Sequence, residues 1–149
     1  MRPQSIVLFD RAYLAGIILS IINFAVSWNG QMALMRDNPG VAANPAMADA
    51  VPALLIGGVA LGTVISLLLW YFTAYKRSNI TRWIIVVFFA LGLLGLIGLP
   101  TAMARFGMVY TVLVVVGILL QVFAVVMLFR PDSQAWFARR DPVDPQTFN

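Results

Sequence analysis

The sequence predicts an all-α integral membrane fold, an antiparallel bundle of four transmembrane helices followed by a short C-terminal interfacial helix. Hydrophobic residues make up 61% of the 149 residues and charged residues only 11%, whereas soluble domains average about 25% charged residues. The apolar residues form four long runs without a charge. These runs are continuous, which favours membrane helices over the alternating pattern of a membrane β-barrel.

We expect a membrane domain over residues 1–130, with spans at about 12–28, 51–75, 83–103 and 106–129. Each span approaches the roughly 20 residues that a helix needs to cross about 30 Å of hydrocarbon. Pro100 should stop the third span, and a turn of a few residues around Arg105 should lead into the fourth. Because short links favour antiparallel neighbours, an up-down bundle is the expected arrangement.

The longest link between predicted spans covers residues 29–50. Asn38 and Asn44 each precede a proline there, which is typical of turns. Residues 32–35 are apolar enough to form one helical turn on the membrane surface. We therefore expect an irregular loop on the side opposite the termini.

The distribution of Lys and Arg predicts the orientation, because cytoplasmic loops carry the excess of positive charge. Eight basic residues fall on the side of the termini and two, Arg36 and Arg105, on the other. We expect a multi-pass protein of a bacterial inner membrane with both termini in the cytoplasm. A cleaved signal peptide ending near 25–27 is the alternative for the first run, but Asn23 interrupts its apolar core.

Uncharged polar residues interrupt two of the spans. Ser20, Asn23 and Ser27 lie at helical spacing on one face of the first span, and Gln121 lies in the fourth. Counted from the predicted span ends, Asn23 and Gln121 lie at similar depths, so their amides could pair across helices. The four side chains would then hold the bundle together. The alternative is a polar lining for water or a small solute.

Small residues recur at helical spacing on the second and third spans. Such faces let helix backbones approach closely, either inside the bundle or against another membrane protein. The candidate packing faces comprise Gly58, Gly62, Ser66, Gly92, Gly95 and Gly98.

The tail, residues 131–149, should begin with a short interfacial helix capped by Asp132 or Ser133 and end in a disordered stretch after residue 140. Basic and aromatic residues flank the spans on the predicted cytoplasmic side, where anionic lipids attract positive charge. The candidate headgroup contacts are Lys76, Arg77, Arg82, Arg130, Trp136, Arg139 and Arg140.

The chain contains no Cys, His or Glu. The absence of Cys and His removes thiolate and imidazole chemistry, and aspartate is the only acidic residue type. We expect no catalytic residue, no metal site, no cofactor and no nucleic-acid partner. Phosphate chemistry at Asp132 with Arg130 is the weaker interpretation, because a helix cap explains Asp132.

The expected function is therefore a non-enzymatic structural bundle or an accessory subunit of a membrane complex, with lipids and either itself or another membrane protein as partners. The alternative is a small transporter or an oligomeric channel subunit. None of the six Asp residues lies in a predicted span, which argues against proton coupling.

The second half of the chain resembles a known group of proteins. The string Lys76-Arg77-Ser78 with Arg82-Trp83, and the string 128–133 with Trp136-Phe137, each follow a span. In this they resemble small four-helix inner-membrane proteins of proteobacteria that have no assigned function. The resemblance implies a topology and no activity.

Overall fold

Helices account for nearly all of residues 2–138, the part of the chain that a computed structural model describes. Within those residues no strand occurs, and three stretches are long and apolar enough to cross a membrane, namely Gln4–Arg36, Pro45–Ala74 and Asn79–Leu128. The elements are α1 (Gln4–Arg36), α2 (Pro39–Ala42), α3 (Pro45–Ala74), α4 (Asn79–Leu94), a 3₁₀ segment (Gly95–Gly98), α5 (Leu99–Leu128) and α6 (Pro131–Ala138).

Helix α1 is much longer than the predicted first span of 12–28. Its 33 residues extend about 50 Å at 1.5 Å per residue, which exceeds the hydrocarbon thickness of a bilayer. The extra first turns contain Asp10, whose charge is compensated within the fold. Arg2 forms an ion pair with Asp10 at 2.7 Å, and the indole of Trp70 donates a hydrogen bond to the same carboxylate at 2.9 Å. Asp10 therefore lies inside the helix without an unpaired charge.

The expected long loop at 29–50 is mostly helical, so that prediction is wrong. Helix α1 continues to Arg36, and the Asn-Pro pairs start new helices. The side chain of Asn38 accepts a hydrogen bond from the backbone of α2, and that of Asn44 accepts two from the first turn of α3. Asparagine satisfies the free N–H groups of a helix start, and proline suits the first helical position because it has no N–H to leave unpaired.

Helices α3 and α4 form a tight hairpin through residues 75–78. Arg77 adopts a left-handed conformation with φ 53°, and Ser78 accepts a hydrogen bond from the backbone of Thr81 to cap α4. The Thr73 hydroxyl donates to that of Thr81 across the hairpin at 2.8 Å. The two helices are thus antiparallel neighbours, as short links favour.

The stretch Asn79–Leu128 is not a straight rod. The rings of Trp83 and Phe129, near its two ends, lie 5.4 Å apart. In a straight helix these two positions would be about 70 Å apart. Pro100 does not stop the third span, because it lies in the first turn of α5. The backbone leaves helical geometry at Gly107, with φ 85° and ψ 178°, a conformation that is almost restricted to glycine. The expected turn around Arg105 therefore falls two residues later.

The long helices pack in a ring, in which α1 contacts α3 and α5, and α4 contacts the same two helices. We call the part of the molecule formed by residues 2–10, 70–82 and 127–138 the first end, and the part formed by residues 30–45 and 97–107 the second end. The buried core lies toward the first end and includes Ile6, Phe9, Ile85, Leu128 and Trp136. Large apolar side chains cover the outer faces of all four long helices, which is the surface that lipid solvates.

Candidate functional site: a cavity between the long helices

A cavity of about 510 Å³ lies between α1, α3, α4 and α5, beyond the core of the first end. Its walls are mostly aliphatic and aromatic side chains, such as Leu69 on α3 and Phe88 on α4. None of its lining residues carries a charge. The cavity thus lacks the charged side chains that commonly mark a membrane site for ions or charged metabolites.

Five side chains bring polar atoms to the cavity wall, namely Tyr13, Ser20, Asn23, Ser66 and Gln121. The Ser20 hydroxyl donates to the carbonyl of Ile17 at 2.7 Å, so its proton is occupied while its oxygen can still accept. The Oδ1 atom of Asn23 is buried and has no hydrogen-bond partner among the described residues. A buried acceptor without a partner costs about 1–3 kcal/mol. Asn23 therefore carries a local packing cost, and its Oδ1 atom is too buried for a molecule in the cavity to reach.

The structure brings three of the four predicted polar residues, Ser20, Asn23 and Gln121, to this cavity. The fourth, Ser27, is buried outside it and donates to the carbonyl of Phe24.

The expected depth match between Asn23 and Gln121 is wrong, and no hydrogen bond joins the two amides within residues 2–138. Gln121 lies opposite Gly16, and Asn23 is seven residues further along α1, a displacement of about 10 Å. The error arose from the predicted start of the first span at residue 12, whereas α1 begins at Gln4.

The predicted packing faces divide into two groups. Gly62, Ser66 and Gly92 line the cavity. Gly58, Gly95 and Gly98 line no part of it, and a Cβ atom added to any of these three, or to Gly62 or Gly92, would meet nothing within 4 Å. These glycines therefore do not hold helices of this chain in close contact, so the expected packing inside the bundle is corrected at these five positions. Packing of these faces against another membrane protein stays a prediction.

Helices α1 and α5 approach each other closely at three glycines that were not among the predicted packing residues. Phe106 occupies the space that a Cβ of Gly30 would need. Gly117 faces Leu19, and Gly16 faces Gln121. The order of these pairs shows that α1 and the part of α5 after Gly107 run antiparallel along most of their length. The sequence did contain a signal for this contact. Gly16 and Gly30 lie on the same face of α1 as Ser20, Asn23 and Ser27 and extend that face by one turn at each end.

At the first end, α6 packs against the start of α1. The hydroxyls of Ser5 and Ser133 share a hydrogen bond of 2.5 Å, and Ser133 also donates to the carbonyl of Met127 at 2.7 Å. The backbone N–H of Ser5 donates to the carboxylate of Asp132 at 3.3 Å. Hydrogen bonds from Ser5, first from its hydroxyl, hold the pKa of Asp132 below its usual range. Asp132 lies in the first turn of α6 and is therefore not the expected N-cap of that helix. Its carboxylate instead accepts a hydrogen bond from the first turns of α1.

The expected headgroup contact of Trp136 is corrected, whereas the position of α6 at the membrane interface stays a prediction. The Trp136 side chain is only 8% exposed and lies beneath the guanidinium of Arg77 at 4.1 Å. The guanidinium of Arg82 lies over Phe129 at 4.5 Å and over Phe137 at 5.1 Å. Both guanidinium groups therefore lie over aromatic rings of the protein, and their contact with lipid headgroups stays a prediction.

Two further residues predicted to contact headgroups, Lys76 and Arg130, are exposed at the first end, and their contact with lipid stays a prediction. Arg139, Arg140 and the predicted disordered stretch lie outside the described residues.

Comparisons with protein-family models, with curated proteins and with solved structures found no match. Within residues 2–138 the fold is all-helical, and its three long apolar stretches are compatible with a multi-pass membrane protein.

Proposed function

We propose that this chain crosses a bacterial inner membrane four times, with both termini in the cytoplasm, and acts as a non-enzymatic structural or accessory subunit of a membrane complex. The observation that carries the proposal is the contact between Trp83 and Phe129. Because the ends of Asn79–Leu128 meet, this stretch would cross the membrane twice. With one crossing each by α1 and α3, the total is four.

The proposed orientation rests on the basic residues. Arg2, Lys76, Arg77, Arg82 and Arg130 all belong to the first end or directly adjoin it, whereas Arg36 and Arg105 belong near the second end. The positive-inside rule favours the first end as the cytoplasmic one. Aromatic rings partly cover two of these arginines, but the rule acts during insertion, before such contacts form.

The proposed non-enzymatic role is supported by the kind of polar groups present. Asp10 is neutralised by Arg2, and Asp132 is engaged with Ser5. These two carboxylates thus have structural partners, and two others, Asp37 and Asp49, are exposed. An accessory subunit needs only a stable bundle with an apolar outer surface, and the described helices provide both.

Passage or storage of a small uncharged solute is the second candidate function, and the cavity favours it. A pore for ions is a poorer fit, because an ion leaving water needs charged or dense carbonyl ligands to replace its hydration shell.

Reporter fusions test the topology. We expect a cytoplasm-active reporter to give signal after Lys76 and after the C-terminus, and a periplasm-active reporter to give signal at Asn38 and at Arg105. A periplasmic C-terminus combined with a cytoplasmic Lys76 would contradict the four crossings.

Purification in mild detergent then separates the two roles. A stoichiometric membrane protein bound to the chain would support the accessory role. A homo-oligomer that conducts an uncharged solute in vesicles would favour the second candidate.

A further inference from the structure

Arg82, at the start of α4, is held in place by aromatic rings rather than by an acidic partner. Its guanidinium lies over the ring of Phe129 at 4.5 Å and over that of Phe137 at 5.1 Å. The rings attract its charge but leave its N–H donors without an oxygen acceptor. Within residues 2–138 the only ion pair joins Arg2 and Asp10. The fold thus orients the Arg82 guanidinium without neutralising it by any described residue.

The nitrogen atoms of this guanidinium differ in their access. The Nε atom is buried without a partner among the described residues, so a ligand does not reach it. The two terminal Nη atoms are not buried in this way, because the side chain of Arg82 is partly exposed. No hydrogen bond within residues 2–138 engages them. Such a pair of donors matches two oxygen atoms of a phosphate group, which points to an anionic ligand.

The charge around Arg82 favours a ligand with a net negative charge. The first end contains five basic residues and two acidic ones, and both acidic residues are engaged. Asp10 pairs with Arg2, and Asp132 accepts a hydrogen bond from Ser5. The N-terminus of α4 adds the positive end of a helix dipole. A zwitterionic headgroup would bring an ammonium group into this positive field, whereas an anionic headgroup would not.

An exposed apolar ridge begins directly after Arg82 and follows α4 toward the second end. It consists of Trp83, Val87, Leu91 and Leu94, each of which is more than half exposed. Side chains spaced by three and four residues share one face of a helix. A hydrocarbon chain can therefore lie along α4 while a phosphate group lies at the start of the helix. A free anion would leave this ridge uncovered, so the combination fits a lipid better.

We propose that the Nη atoms of Arg82 bind the phosphate group of one anionic phospholipid, whose acyl chains lie along the apolar ridge of α4. The basic residues of the first end were expected to attract headgroups collectively, whereas this site assigns one lipid to one side chain. The proposal rests on the membrane location in the proposed function. It depends neither on the number of crossings nor on the orientation or on a partner complex.

Native mass spectrometry of the full chain, released from dodecylmaltoside micelles, counts the lipids that stay bound and tests the site. The chain is titrated with dioleoylphosphatidylglycerol and, separately, with dioleoylphosphatidylcholine. We expect the first phosphatidylglycerol to bind about tenfold more tightly than phosphatidylcholine, because the first end repels the choline ammonium group. A competition with ammonium phosphate, against ammonium acetate at matched ionic strength, distinguishes the lipid from free phosphate. We expect phosphate not to displace phosphatidylglycerol.

Matched variants connect the binding to Arg82. Arg82→Gln should weaken the binding of phosphatidylglycerol about tenfold or more, the effect of losing hydrogen bonds to a charged group. Arg11→Gln removes the same charge from an exposed side chain next to the first end and should weaken it less than about twofold. Arg82→Lys keeps the charge without the paired donors, so it should show an intermediate loss, and it replaces Arg82→Gln in the test if the glutamine variant unfolds.

Three results would overturn the proposal. The first is equal binding of phosphatidylglycerol and phosphatidylcholine. The second is an equal loss in the Arg82 variants and in Arg11→Gln, which would indicate attraction by net charge alone. The third is displacement of the lipid by phosphate at matched ionic strength, which would assign the site to free phosphate. These results leave the reporter fusions unaffected, so the lipid site and the four crossings can fail separately.

Discussion

Gly30 is the position at which the account of helix packing is easiest to test. The ring of Phe106 lies where a Cβ at residue 30 would lie, and Phe106 immediately precedes the backbone turn at Gly107. Gly30→Ala should therefore push the ring away and disturb the contact between α1 and the turn. Overpacking of this kind costs about 1–3 kcal/mol, and the better helix propensity of alanine offsets about 0.5–1 kcal/mol of it.

Gly58→Ala is the matched control, because it makes the same change in a long helix where the new Cβ meets nothing within 4 Å. Helix propensity contributes equally to both variants, so their free energies of unfolding should differ by about 1–3 kcal/mol. Reversible unfolding in mixed dodecylmaltoside and SDS micelles, followed by tryptophan fluorescence, measures the difference.

A second background variant identifies the cause. In the presence of Phe106→Ala the cost of Gly30→Ala should disappear, since the ring that the new methyl group displaces is absent. Equal stability of Gly30→Ala and Gly58→Ala in the wild-type background would refute the close contact. So would a cost that persists without Phe106.

Three further changes have defined outcomes. Gly107→Ala should destabilise the protein by about 1–3 kcal/mol in the same unfolding assay, because alanine poorly tolerates a φ of 85°, whereas Gly98→Ala, at ordinary φ and with open space, should not. Trp136→Ala should lower the free energy of unfolding by about 3 kcal/mol through lost burial, by the same amount in neutral and anionic bicelles. A strong dependence on lipid charge would instead favour contact between Trp136 and lipid headgroups. The pKa of Asp132 is lowered in the folded state, so its contribution to stability should be fully present above the ordinary carboxyl pKa of about 3.9 and lost as the pH falls through the folded value. The melting temperature should therefore decline more steeply on acidification in the wild type than in Asp132→Asn. Parallel profiles of the two proteins would contradict this.

The helical character and the apolar runs were readable from the sequence, but the ends of the helices were not. The predicted first span began after Asp10 and Arg11 because lone charges are costly in lipid. In the structure Asp10 is paired with Arg2 and Trp70, so the helix starts eight residues earlier. Pairing between residues distant in sequence is a tertiary property, and no local pattern reveals it.

The segments between the long helices show the opposite kind of error. A local signal was present in the sequence but was interpreted as the wrong structure. Asparagine before proline suits both a turn and a helix N-terminus, and Asn38 and Asn44 proved to be helix caps. Gly107 is a further case. Among the glycines of the second half it differs in its positive φ, a backbone angle that cannot be read from the sequence.

The candidate site was partly foreseen. Ser20, Asn23 and Gln121 line one cavity, but Ser27 on the same face of α1 lies outside it. Within residues 2–138 no hydrogen bond joins the two amides. Gly62 and Gly92 were expected to bring helices together, and they line an open space instead. Spacing predicts which residues share a helical face, whereas the distance to the opposite helix depends on every other contact in the bundle.

The return of the chain between Trp83 and Phe129 is the central claim, and the absence of cysteine from the sequence allows a direct measurement. We would introduce Trp83→Cys with Phe129→Cys, and Trp83→Cys with Arg105→Cys as the control, and treat membranes with a short bis-maleimide. The account predicts intramolecular cross-linking of the first pair and none of the control pair, whose members are about 33 Å apart along the helical path. Cross-linking of neither pair, together with a spin-label distance near 70 Å between positions 83 and 129, would contradict it.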